Sequence, residues 1–244
     1  MPTKIKDNYA GESTVSNPRD NFQTPRYATE LLIPFIPDYV KYIWEPANGD
    51  GAISRVLKEY DFSVQTSDIR DGSDTVFNFL DVVSCHRVAD IIITNPPFSS
   101  KLKIGFYNRC MEYGIPFALL IPADYSGWLI KAMDTGGCEK IIPSRRIDYI
   151  TPFIEELVFK GETLELVNKE RDTNFKKYKD IPHDILRIYS LLTPRYDSVL
   201  DIPEHLIKKY SSSNFHSMWL TWGFNLGKSE TFTPLSNANK IRIL

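Results

Sequence analysis

Cysteine is scarce in this chain, and what there is stands apart: Cys85, Cys110 and Cys138 are the only three, never spaced as C-x-x-C. An odd, scattered set builds neither a disulfide framework nor a zinc site. Histidine is equally thin. His86, His183, His205 and His216 share no metal-ligand spacing, so no metal is expected. Long apolar runs are missing too. No stretch approaches the roughly 20 residues that span a bilayer, and no signal-peptide core opens the chain, which points to a soluble cytoplasmic protein. Nor is there a charge excess: 29 Lys and Arg against 31 Asp and Glu leave a net charge of −2, which supplies no global attraction to nucleic acid. The dinucleotide fingerprint G-x-G-x-x-G is absent as well. What remains, 244 residues with 42% hydrophobic content, can bury a sizeable core in one or two domains.

Against that background Asn95-Pro96-Pro97-Phe98 stands out, at the end of the apolar run 89–94. Ile91, Ile92 and Ile93 are consecutive β-branched residues without polar alternation, as in a strand covered on both faces of a parallel sheet. The C-terminal end of such a strand is where ligands bind. Pro96 and Pro97 carry no N–H and fix φ, so the turn is stiff and their carbonyls stay free as acceptors. Asn95 adds a side-chain acceptor, and Phe98 a face for stacking a base. Together they suit a planar amino group, which donates two hydrogen bonds. The same residues also fit an ordinary strand-to-loop turn in which Asn-Pro-Pro is punctuation.

A second unit lies upstream. Tyr42-Ile43-Trp44 reads as a buried strand running into Glu45-Pro46-Ala47-Asn48-Gly49-Asp50-Gly51, after which Ile53, Val56, Leu57 and Tyr60 fall at helical spacing. Gly49 and Gly51 let the backbone turn sharply and approach a ligand. Glu45 and Asp50 put carboxylates where a pyrophosphate would have to sit, and like charge disfavours it. A ligand with a cationic centre and an amino-acid tail fits better, and S-adenosylmethionine has both. The next strand, 62–66, ends at Asp68-Ile69; an acidic residue there can hold ribose hydroxyls, and Ile69 can cover an adenine. A surface Asp at a strand end is the alternative.

In order and spacing, Glu45 to Gly51, Asp68 and Asn95 to Phe98 resemble the class I S-adenosylmethionine-dependent methyltransferases that modify adenine N6, in the style of bacterial and phage DNA enzymes. Phe22-Gln23-Thr24-Pro25 is similar to that family's N-terminal motif, in which Thr-Pro opens a helix near the methionine end of the cofactor. Thr24 is expected to cap that helix and Pro25 to occupy its first turn. The resemblance implies a Rossmann-like α/β fold: a mostly parallel seven-stranded sheet, an antiparallel C-terminal hairpin and a late insertion. It also implies a residue binding the cofactor's adenine amino group. Asn78, followed by Phe79, fits that spacing, with Asp81 as the competing assignment.

The chain divides accordingly into a mobile segment (1–20), a catalytic domain (21–152 and 214–244) and a candidate target-recognition insertion (153–213). A helix is expected from about residue 100, with Leu102, Phe106, Cys110 and Tyr113 on one side and a stop at Gly114. Strands follow at 116–122 and within 140–150. Near the C-terminus, 215–222 and 231–233 are expected to pair across a turn at 223–227. Lys101, Lys103, Arg145 and Arg146 are candidate phosphate contacts. Lys169, Arg171, Lys176, Lys177 and Lys179 are interleaved with acids and fit a solvated surface equally well. The implied reaction moves a methyl group from S-adenosylmethionine to the amino group of a flipped adenine in double-stranded DNA, leaving S-adenosylhomocysteine, inside a bacterial or phage-infected cell. Adenine in RNA, a protein glutamine, or a silent subunit that keeps the fold are the other readings.

Overall fold

The computed structural model describes residues 22–81, 89–151, 153–196, 199–211 and 215–236. Cys85, His86 and the segment 1–20 lie outside the described residues. Eight strands form one sheet in the order β3-β2-β1-β4-β5-β7-β6-β8. They are β1 (Tyr42–Glu45), β2 (Ser63–Asp68), β3 (Thr75–Val76), β4 (Ile91–Thr94), β5 (Phe117–Pro122), β6 (Glu139–Pro143), β7 (Ser217–Trp222) and β8 (Glu230–Thr233). Among the described strands, only β7 runs antiparallel to its neighbours. This is the expected mostly parallel α/β sheet.

The Ile triplet shows why the sheet needs two layers of helix. Ile91 and Ile93 enter one core and Ile92 the other, as the two-residue strand period requires. Helices α1 (Arg26–Glu30) and α2 (Ala52–Glu59) cover the first face through Tyr27, Ala28, Ile53 and Leu57. Helices α3 (Ser100–Tyr113) and α4 (Gly127–Asp134) cover the second through Phe106, Tyr107, Cys110, Leu129 and Ala132. Right-handed crossovers that leave β1 in one direction and β4 in the other place their helices on opposite faces. A crevice then opens between β1 and β4, where the strand order reverses. As expected, α3 stops at Gly114, which takes the left-handed cap conformation at φ 66°.

One expectation is corrected. The two C-terminal strands do not form a hairpin, because β7 already has β5 on one side and β6 on the other. With both edges of β7 filled, β8 pairs in parallel with the outer edge of β6, which makes the eighth strand.

Between β6 and β7 the chain is helical: α5 (Ile154–Arg171), α6 (His183–Leu192) and α7 (Glu204–Tyr210). This block holds two small apolar clusters of its own. One joins Ile150, Ile154, Val158 and Ile207, and the other Val167, Ile181 and Tyr189.

Candidate active site

The crevice at the β1/β4 reversal is a cleft of about 880 Å³, counting its open mouth. Five pieces of chain wall it: residues 22–24, the glycine loop with the start of α2, the end of β2, residues 78–80, and the Asn95 loop with α3.

The loop after β1 is shaped by backbone conformations that favour glycine. Gly49 and Gly51 have φ of 55° and 78°, and Gly51 leads directly into α2. Asn48 fastens the loop: its N–H donates to the Ser67 carbonyl at 3.1 Å, and its Oδ1 accepts from Ser54 Oγ at 2.7 Å. Asp68 completes the joint. Its Oδ2 accepts from the Gly49 N–H at 2.8 Å, and its Oδ1 from the Arg70 N–H at 2.9 Å. Carboxylate oxygens have further lone pairs, so Asp68, 7% exposed, orders the loop and can still accept from a ligand.

Glu45 ends β1 and also lines the cleft. It is 1% exposed, and its Oε2 is buried without a hydrogen-bond partner. Burial pushes its carboxyl well above the usual carboxylate range; the Asp68 charge adds to this and the Ser54 N–H opposes it. A cationic group brought to Glu45 would reverse that penalty.

Asn78, Phe79 and Leu80 line another wall, whereas Asp81 does not. Instead Asp81 Oδ2 accepts from Asn78 Nδ2 at 2.7 Å, and Asn78 Oδ1 accepts from the Leu80 N–H at 3.1 Å, so both ends of the Asn78 amide are held.

Asn95 sits just past β4. Its Nδ2 donates to Thr24 Oγ1 at 3.0 Å and to the Phe22 carbonyl at 3.3 Å, while its Oδ1 is buried with no partner. Thr24 therefore differs from its expected role: it makes no cap bond, Pro25 is the residue before the helix, and α1 begins at Arg26. Phe98 differs as well. Its ring stands outside the cleft lining, stacked on Phe22 with centroids 5.6 Å apart, with Tyr149 and Phe215 edge-on at 5.4 and 5.3 Å. The face expected to receive a base already carries Phe22, brought there by chain far away in sequence.

Of the expected site residues, Thr24, Glu45, Pro46, Ala47, Asn48, Gly49, Asp68, Ile69, Asn78, Phe79, Asn95 and Pro97 meet at the cleft; Pro25, Asp50, Gly51 and Pro96 are not among the residues that line it. Lys103 is corrected. It is 6% exposed, bonds Asp124 Oδ2 at 3.0 Å and lies over the Trp128 ring, because the start of α3 turns this position inward. Arg145 and Arg146 are exposed after β6, and Lys101 is half-buried. The lining also includes Phe22, Gln23, Ala52, Ile53, Arg70, Leu80, Leu102 and Phe106, none of them among the site residues expected from the sequence. Leu102 and Phe106 had a signal: spaced i, i+4 on the helix that follows the Asn95 loop, they share one face.

No protein-family model matches the sequence, and no curated protein matches it. Among solved structures, the chain is similar to a candidate RNA methyltransferase from Pyrococcus horikoshii at 16% identity and a TM-score of 0.41, covering 59% of this chain and 84% of that one. It is similar to a candidate type II methyltransferase from Anaeromyxobacter dehalogenans at 12% identity and 0.37, over 82% and 94%. A candidate sarcosine dimethylglycine methyltransferase from Galdieria sulphuraria gives 12% and 0.35, over 80% and 82%. Likeness of this degree fixes neither activity nor substrate.

Proposed function

We propose that the protein transfers a methyl group from S-adenosylmethionine to the exocyclic amino group of an adenine flipped out of double-stranded DNA. The observation that carries this reading is Asn95 Oδ1, a buried acceptor without a donor just past β4. Such a group costs about 1–3 kcal/mol, a cost that an incoming amino group removes. An exocyclic NH2 has two hydrogens; Asn95 Oδ1 takes one, and the Pro96 carbonyl takes the other. As the nitrogen's lone pair formed its bond to the methyl carbon, that carbon's bond to sulfur would break with the electron pair left on S-adenosylhomocysteine; the nitrogen would gain positive charge, which these acceptors would stabilise before a proton leaves to solvent.

The cleft's residues fit the methyl donor. The unpartnered Oε2 of Glu45 suits the ligand's ammonium, Asp68 its ribose hydroxyls, and Ile69, Asn78 and Phe79 its adenine. When bound, S-adenosylmethionine supplies an electrophilic methyl group. Lys101, Arg145 and Arg146 are the proposed phosphate contacts. The preference for DNA over RNA or a protein glutamine rests on the resemblance of Thr24-Pro25 and of the helical block after β6 to the DNA enzymes.

Titration calorimetry with S-adenosylmethionine, followed by tritium transfer to duplex DNA, structured RNA and glutamine peptides, tests the reading. Cofactor binding with label in duplex DNA alone is expected. Label only in RNA or peptide replaces the substrate, and binding without transfer anywhere points to a silent subunit.

A further inference from the structure

We infer that Thr24 is a positioning residue that pins the Asn95 amide against rotation, in the orientation that the Phe22 carbonyl selects. The inference rests on the reading of Asn95 given above. A side-chain amide has nearly the same shape either way round, yet only one orientation accepts a hydrogen bond from an amino group. The Phe22 carbonyl, 3.3 Å from Nδ2, decides between them: it can only accept, so an inverted amide would set oxygen against oxygen. The Thr24 hydroxyl can donate or accept and so does not choose the orientation; at 3.0 Å it makes the shorter of the two bonds and holds the chosen one in place. Thr24 is 4% exposed, sheltered from competing water. It is not spent on α1, which has no side-chain cap.

Both neighbours are held firmly. Gln23, between them, exchanges two backbone bonds with Ile150, at 2.9 and 3.2 Å, and the Tyr27 hydroxyl accepts from the Asp148 N–H at 2.7 Å. Residues 22–24 thus form a strap tied to the chain that follows β6, and Thr24 applies it to the catalytic loop. Without the hydroxyl, Asn95 Nδ2 keeps one bond near the long end of the hydrogen-bond range, and the amide is free to pivot.

Two substitutions separate this role from packing. Thr24→Val keeps the shape and loses the hydroxyl; Thr24→Ser keeps the hydroxyl and loses a methyl group. Each is assayed for methyl transfer to duplex DNA at saturating cofactor and duplex. Solvent exchange of the Asn95 side-chain NH2 is followed by NMR in 15N-asparagine-labelled protein, with the signal identified by its loss in Asn95→Ala. Thr24→Val is expected to lower kcat by about tenfold, as the loss of one orienting hydrogen bond implies, and to speed NH2 exchange. Thr24→Ser is expected to restore most of both. Wild-type kcat and exchange in Thr24→Val, or a Ser variant as impaired as Val, would overturn the inference. If wild type methylates no adenine while Thr24→Val still speeds exchange, the positioning role stands and the assigned reaction falls.

Discussion

At Glu45 a carboxylate sits where a carboxylate is costly. Burial, with the Asp68 charge adding to it, raises its folded-state pKa. A carboxyl raised in this way contributes fully to stability below its unfolded value of about 4.3, and that contribution is lost as pH rises through the folded pKa. Wild type is therefore penalised at neutral pH. Glu45→Gln is expected to melt several degrees higher than wild type at about pH 8, with the gap closing toward about pH 5. Its affinity for S-adenosylmethionine should fall about tenfold or more, because an amide cannot pair with the ammonium. A melting difference that stays flat with pH would sink the burial argument. Glu45, Asp68 and Asn95 are legible in the sequence because each ends or directly follows a strand with a strong local pattern. The role of Thr24 is not. Capping is a local rule, and the group Thr24 actually meets is 71 residues away.

Among elements, the legible ones are those whose signals are local: the strand, glycine loop and α2, and β4 with α3 and its Gly114 stop. Strand neighbours across the sheet are not local. Nothing within 230–233 reveals that β7 has no open edge, so a hairpin is the natural expectation and the wrong one. Helix α5 gives a further test of packing over propensity. Gly161 lies within it, where Ala would ordinarily stabilise a helix by about 1 kcal/mol. Here a Cβ would run into the Tyr210 ring, and Tyr210 is anchored by its hydroxyl to Glu162 at 3.0 Å. Gly161→Ala is therefore expected to destabilise the protein by roughly 1–3 kcal/mol, the range for overpacking, as read by urea unfolding. A gain in stability would show that α5 and α7 separate readily.

For the whole molecule, a net charge of −2 means that any grip on DNA comes from a local patch. Among the described residues, no helix is long and apolar enough to cross a membrane. The exposed Arg145 and Arg146 follow β6, on the chain that the strap ties to the cleft. Replacing both with Ala is expected to raise the KM for duplex DNA and to flatten its dependence on salt by about 1–2 in log–log slope, about one for each phosphate no longer neutralised. An unchanged slope would move the DNA surface elsewhere. On the proposed reading, Asn95 receives an adenine amino group beside a bound methyl donor. Duplex DNA free of modified bases, incubated with S-adenosylmethionine and wild type or Asn95→Ala, is digested to nucleosides for mass spectrometry to check this. N6-methyldeoxyadenosine with wild type, and none with an Asn95→Ala variant that still binds the cofactor, is the predicted result. Methyl groups on cytosine alone, no methylation by wild type, or equal N6-methyldeoxyadenosine from both proteins would contradict it.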